Sequence, residues 1–411
     1  MKKYKINDKI VLLILFSVTL VVYYKSLFGS FIFDDVIVIL QEPLLKKENF
    51  IDFFKGLLFK ERPIRLVTFY LDKQIWGLNP FGYRFTNLII HIGNGFLLYY
   101  LFQKLELKKE IAFFATAIFI WHFANPATVC YVTGRKDLLG LSFIIISTFF
   151  LLGYKNDRSL SKVLLSFIFF ILAIFTKEMF ITFPLIIFAY LYIVEGKRLP
   201  LKYLLLALGI IVIFTIYVIK FRDVSLGSLY KRLSIPEYFV GYLRLFFDPT
   251  FPKIDYIGYF TEPYSFKDIN WLIFISISFV MIVYFIIAYY FRKKDKFISF
   301  LLIAFFISLL PVLQIIQHSE SFAEHYFYFP SVFLSLLVSH VILKLNKDKI
   351  GVVLLILLVM LLIPYTYKRT TIFNSEDSFW LEAYKRNPKS FRAKQYYGQR
   401  LLSENKVDDA K

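Results

Sequence analysis

Two adjacent carboxylates, Asp34 and Asp35, stand in the stretch GSFIFDDVIVIL, just past one long apolar run and inside a second. Like charges side by side repel, and apolar neighbours make each one costlier to ionise. Acids at the end of a membrane helix are unremarkable when solvated. Phe31, Ile32 and Phe33 on one side, and Val36, Ile37 and Val38 on the other, do not read as a solvated acidic loop. Two acids in a semi-apolar external pocket suit a general base whose partner tunes its pKa.

Other charged groups interrupt apolar runs. Arg135, Lys136 and Asp137, in YVTGRKDLLGL, are either a charged turn or a basic pair for phosphate with an acid to orient it; the planar fork of Arg suits a phosphate. Lys177 and Glu178, in FTKEMF, are either a structural ion pair or part of a site at the edge of a bundle. His318, Glu320, Glu324 and His325 offer metal-ligand types. No HExxH is present, so a polar external loop, or one that helps hold substrate, is the preferred reading. Asn87 and His91 are four apart and share a helix face; they read first as hydrogen bonds between helices rather than as pocket residues. SLSK at 159–162 matches a nucleophile pattern but has no partner motifs. The absence of GxGxxG and GxxxxGK leaves no nucleotide cradle, and a lipid-linked donor would need none.

The elements that must position these groups are those of a membrane protein. The 411 residues are 58% hydrophobic and 20% aromatic, with a mean hydropathy of +0.61. Soluble domains run nearer half apolar. Runs at 10–24, 111–121, 138–154, 163–175, 203–219, 271–291, 297–316 and 350–364 are nearly free of charge. Most approach or exceed the length of a spanning helix. The net charge of +19 does not point to nucleic acid, because the basic residues mark the ends of apolar runs. The single cysteine, Cys130, makes no intrachain disulfide. The N-terminus reads as an uncleaved first span, since no small-residue cleavage site follows it.

Short Lys/Arg-rich loops at 103–110, 155–162, 195–202, 292–296 and 344–349 join the basic N-terminus on the cytoplasmic side. The alternation that follows gives an all-α polytopic protein of about eleven spans, N-terminus inside and C-terminus outside. In the first external loop, 29–84, Phe50, Phe53, Phe54, Leu57 and Leu58 fall at helical spacing, as on an amphipathic helix lying on the membrane surface. The segment 235–247 is read as a re-entrant or interfacial helix within an external region 220–270, because crossing there would put the later basic loops outside. Residues 1–366 form the membrane domain. Residues 367–411 form an external, polar, helical tail. In it Trp380, Ala383, Pro388, Ala393, Tyr397, Gly398, Leu401 and Ala410 take the packing positions of an incomplete tetratricopeptide-like unit.

In order along the chain, FIFDDVIVI, RPIRLVTFYLDKQIWGLNPFGYRFTNLIIHIGN, YVTGRKDLL, FTKEM, EHYFYFPS and DSFWLEAYKRNP resemble the GT-C superfamily of membrane glycosyltransferases. The closer resemblance is to the transmembrane and tetratricopeptide-repeat-containing proteins, relatives of the protein O-mannosyltransferases. It implies an inverting enzyme that moves a mannose-like sugar from a polyprenyl or dolichyl phosphate to an acceptor hydroxyl, on Ser/Thr of a protein, at the outer face. It implies Asp34 as general base, because that residue follows Phe33 as the family's first acid does, and Asp35 as its partner. Arg135, Lys136 and Asp137 match the family's GR-x-D, Lys177 and Glu178 its KE, and Glu324 the acid of its ERYLYLPS. With Arg62, Arg65 and His325 these are the expected contacts to donor phosphate and substrate. The resemblance fixes no metal ligand and leaves a divalent cation open. His122 is kept, but Phe123 stands where the family has proline, Ala127 where it has Glu, and His325 where it has Arg. Those departures bear on a second acidic site and on donor choice. The partners implied are the lipid-linked sugar, a protein or glycan acceptor and membrane lipid. A cell-surface glycan or lipid acceptor, an inactive scaffold and a transporter remain the alternatives. Composition favours a prokaryotic plasma membrane over the endoplasmic reticulum.

Overall fold

The computed structural model describes residues 7–57, 60, 62–197, 209, 232–260, 269–315, 320–345 and 349–403. Every regular element among them is helical. Six helices are long and apolar enough to cross a membrane: Asp8–Phe28, Pro80–Lys104, Val132–Lys155, Trp271–Lys294, Glu324–Leu345 and Lys349–Asn374. Three shorter apolar helices, Leu160–Thr176, Glu178–Val194 and Lys296–Val312, accompany them. This composition fits a multi-pass membrane protein.

Eleven spans are not reached among the described residues. The run 203–219 lies outside them. The run 111–121 forms a 12-residue helix, Lys109–Ile120, about 18 Å long at 1.5 Å per residue and short of a hydrocarbon core of roughly 30 Å. Ala112, Ala115, Ala117 and Phe119 on it are fully buried, so its surroundings are protein. Apolar composition alone does not separate a buried core helix from a lipid-facing one.

The chain divides into two compact units. The first comprises residues 1–180 and 338–379, the second 181–337 and 380–411. In the first unit the helices are α1 Asp8–Tyr23, α2 Phe50–Leu57, α3 Pro63–Trp76, α4 Pro80–Lys104, α5 Lys109–Ile120, α6 Arg135–Asp157 and α7 Leu160–Thr176, followed by Lys349–Thr370. Helix α4 starts where Asn79 accepts a hydrogen bond from Phe81 N–H at 3.1 Å and Pro80 needs no donor partner. It packs on α5 and α6, and α6 on α7. The contacts are laced with polar bonds: Asn94 Nδ2 donates to Leu138 O at 2.9 Å, Ser142 Oγ to Asn94 Oδ1 at 2.6 Å, and His91 Nε2 sits 3.0 Å from Ile120 O. Asn87 and His91 are wholly buried and bonded, as the packing reading has it.

The amphipathic pattern after the first span does fold as a helix. On α2, Phe53 and Leu57 turn inward, and Phe53 stacks on Tyr70 with centroids 4.3 Å apart. Phe50, Ile51 and Phe54 remain more than half exposed. Leu58 lies outside the described residues.

In the second unit, Ile235–Phe247 is a 13-residue helix that buries Tyr238, Phe239, Tyr242 and Leu245 and packs on Trp271–Lys294. The tail folds into helices as its pattern predicts. Trp380 stacks on Tyr396 at 4.3 Å and Tyr384 on Tyr397 at 4.5 Å. The turn between them grips buried Asp255, which accepts from Ser390 Oγ and Arg392 Nε, each at 2.9 Å. Ala410 lies outside the described residues.

Candidate functional site

The two acids of the first unit have opposite environments. Asp35 is wholly buried. Its carboxylate accepts from Thr133 N–H at 2.8 Å, and from Ile32 N–H and Val132 N–H at 3.4 Å. Burial pushes its pKa up to about 6, against the pull of Arg84 and those backbone donors. Asp34 is half-buried. Its N–H donates to Tyr131 Oη at 3.1 Å, while its carboxylate has no hydrogen bond or ion pair among the described residues. The pair thus joins an acid with no carboxylate bond among the described residues to one whose carboxylate is engaged. Phe33, just before them, has φ +46°, an uncommon conformation for a bulky residue.

Two arginines brace the surroundings. Arg84, which sequence reasoning did not single out, is 1% exposed. Its Nη1 donates to Ser26 O at 3.1 Å and Cys130 O at 2.8 Å, and its Nη2 to Ser30 O and, at 2.7 Å, to Phe373 O. One guanidinium therefore ties together three stretches of chain, 26–30, 130 and 373. Its signal in the sequence was a lone Arg in the first turns of an apolar helix. Arg135 was expected at a phosphate but is wholly buried. It pairs with Asp72 and donates to Asn87 Oδ1 and Tyr83 O, each at 2.7 Å, while Phe69 lies 4.6 Å beneath it. Its fork is committed to the protein. The GRK motif pointed to charge, but the fold turned its arginine inward, where buried Asp72 and Asn87 meet its donors.

The next residue does the reverse. Lys136 is 8% exposed, and its ammonium has no hydrogen bond or ion pair among the described residues. Arg62, Lys177, Asp137 and Arg65 are its electrostatic neighbours. Lys177 pairs with Asp137, both nearly inaccessible. Arg62 donates from Nη2 to Glu178 Oε1 at 2.8 Å, and it enters α3 in a left-handed conformation, φ +54°. Four cations and two acids so form one cluster with a net positive charge. Its members come from the start of α3, the start of α6 and the end of α7. Of the two readings of Lys177 and Glu178, the ion pair is what the geometry shows: Lys177 pairs with Asp137 and Glu178 with Arg62.

Glu324 and His325 belong to the second unit. Glu324 is buried and accepts from Ile254 N–H at 3.0 Å and Tyr256 Oη at 3.2 Å. His318 lies outside the described residues. Among the described residues no three His, Cys, Asp or Glu side chains gather as a metal site.

Comparison with known proteins agrees with the motifs. The chain is 26% identical over 399 residues to a Caenorhabditis elegans protein O-mannosyl-transferase, F38B6.6, covering 90% of this chain and 56% of that protein. It resembles the protein O-mannosyl-transferases. Human TMTC3 and TMTC4, both so named, are 31% identical over 212 residues and 27% over 177; these matches cover 48% and 36% of this chain and 23% and 24% of those proteins. The chain thus spans about half the length of the worm relative, and its human matches span about a quarter of theirs. No protein-family profile matches the chain, and no solved structure does.

Proposed function

We propose that this protein is a GT-C-type glycosyltransferase. It moves a mannose-like sugar from a polyprenyl or dolichyl phosphate to a hydroxyl, on Ser/Thr of a protein, at the outer face of a membrane. The observation that carries this reading is the contrast at the acid pair: among the described residues Asp34 keeps its acceptor lone pairs unspent, in a chain that resembles O-mannosyl-transferases along most of its length. The acceptor oxygen attacks the anomeric carbon as the bond from that carbon to the phosphate oxygen breaks. Asp34 takes the hydroxyl proton, and the configuration inverts. A phosphate leaves without needing a proton, so one base suffices. Lys136 stabilises the charge that develops on the leaving phosphate; its ammonium has no hydrogen bond or ion pair among the described residues. Arg62, Arg65 and Lys177 hold the potential around it positive. Asp35 works through the backbone of Val132 and Thr133 rather than on substrate. The tail serves as a tetratricopeptide-like element, and composition favours a prokaryotic plasma membrane.

The test is purified protein in nanodiscs with radiolabelled polyprenyl-phosphate sugars and hydroxyl-bearing peptide or glycan acceptors. Consumption of one donor, lost in Asp34→Asn with folding intact, supports the reading and names the sugar. Full activity in Asp34→Asn would remove the base assignment.

A further inference from the structure

The loop that carries Asp34 is held by a stretch the mechanism does not use, Phe373–Phe379, more than three hundred residues further along the chain. Ser30 N–H donates to Asn374 O at 2.8 Å. Arg84 Nη2 donates to Ser30 O and to Phe373 O, joining the same two strands of chain. They lie so close at Gly29 that a Cβ there would sit 2.8 Å from Asn374 Cα. Phe33 N–H donates to Glu376 Oε2 at 2.8 Å, and the Phe33 ring stacks on Phe379 with centroids 6.3 Å apart.

The place of that carboxylate matters. Phe33 is the left-handed residue, and its φ of +46° fixes the direction in which the chain presents Asp34. A bulky side chain holds such a conformation only where its surroundings over-determine it. A carboxylate on the N–H of that residue is a charge-assisted bond, stronger than a neutral one. Glu376 is itself fixed: Ser375 caps its helix, accepting from Ser378 N–H at 3.1 Å, and Ser378 Oγ donates to Ile372 O at 2.9 Å.

We propose that Glu376 is a positioning residue for the general base: its carboxylate holds Phe33 in the left-handed conformation that aims Asp34 at the acceptor hydroxyl. This rests on Asp34 being that base. The segment just after the last apolar helix is thereby part of the catalytic architecture, as well as the start of the tail.

The test uses the full chain in nanodiscs, with Glu376→Ala, Glu376→Gln, Phe33→Gly and the double variant Glu376→Ala/Phe33→Gly. The probe is radiolabelled dolichyl-phosphate mannose or whichever polyprenyl-phosphate sugar wild type consumes. Glu376→Ala is expected to speed amide hydrogen exchange across residues 30–35 while α3 and α4 keep their protection. It should lower kcat about tenfold or more with KM for the donor unchanged, since small misplacements of a reacting group are costly. Glu376→Gln, which keeps an acceptor oxygen, should recover most of the rate. In the Phe33→Gly background, where a positive φ costs little, Glu376→Ala should cost about threefold or less. Unchanged exchange over 30–35 in Glu376→Ala would overturn the proposal whatever the activity. So would wild-type kcat in Glu376→Ala beside an inactive Asp34→Asn. If Asp34→Asn itself turns over normally, the base assignment has failed, and the exchange result still decides whether Glu376 holds the loop.

Discussion

Arg135 and Lys136 are neighbours in sequence and opposites in use. Arg135 spends its fork on Asp72, Asn87 and Tyr83. Lys136, more than nine-tenths buried, has its ammonium unspent among the described residues. Asp35 and Asp34 repeat the contrast with the sign reversed. In each pair one charge is spent on bonds within the protein, and the other has none among the described residues. A charge in an apolar setting is therefore not by itself a mark of chemistry. What separates the two kinds is whether the protein has already satisfied its hydrogen-bonding capacity, because a buried charge left alone is costly and persists only where something compensates it.

That contrast can be broken at several points. Arg135→Met should be the most disruptive to folding, destabilising by about 3–5 kcal/mol because it leaves Asp72 buried and unpaired. Adding Asp72→Asn should restore part of the loss, read as the midpoint of thermal unfolding in detergent. A fully stable Arg135→Met would show that the fork is not a brace. Lys136→Met should do the opposite. It should melt at or above the wild-type temperature, since it removes a buried ammonium with no ion pair among the described residues, while the donor KM rises about tenfold or more. A destabilised Lys136→Met with unchanged donor kinetics would make it structural.

Asp35 gives a smaller, pH-dependent effect. Its folded pKa of about 6 lies above the unfolded value of 3.8. The folded state therefore holds the proton more tightly, and the contribution to stability is full below the unfolded value and is lost as pH rises through about 6. Melting curves from pH 4 to 7 should show that decline in wild type and not in Asp35→Asn. Equal slopes would mean that Asp35 is ionised throughout. The smallest effect is expected at α2. Phe54→Ser, on its exposed face, should leave unfolding within about 0.5 kcal/mol of wild type and weaken partitioning of an α2 peptide onto lipid vesicles. Unaltered partitioning would detach that face from the membrane surface.

The sequence made the helical class, the acid pair and the helix after the first span readable, because each depends on residues close together in the chain. Period and burial cost are local signals. The inward turn of Arg135 was not readable, since Asp72 and Asn87 reach it from α3 and α4. Arg84 and Glu376 were hidden for the same reason. Their partners are carbonyls and an amide contributed by distant segments, and backbone groups carry no residue-type signature. The count of about eleven spans is not matched among the described residues, where the buried helix α5 has the composition of a lipid-facing one. The unspent capacity of Asp34 and Lys136 among the described residues could not be read from residue types, because it depends on what the fold brings near them.

The measurement that bears most directly on this account is a paired one on Asp34→Asn: donor turnover in nanodiscs beside its melting curve. Asp34→Asn should keep the wild-type melting temperature and lose turnover by about a hundredfold or more, as removal of a general base should give. Wild-type turnover in a folded Asp34→Asn protein would contradict it.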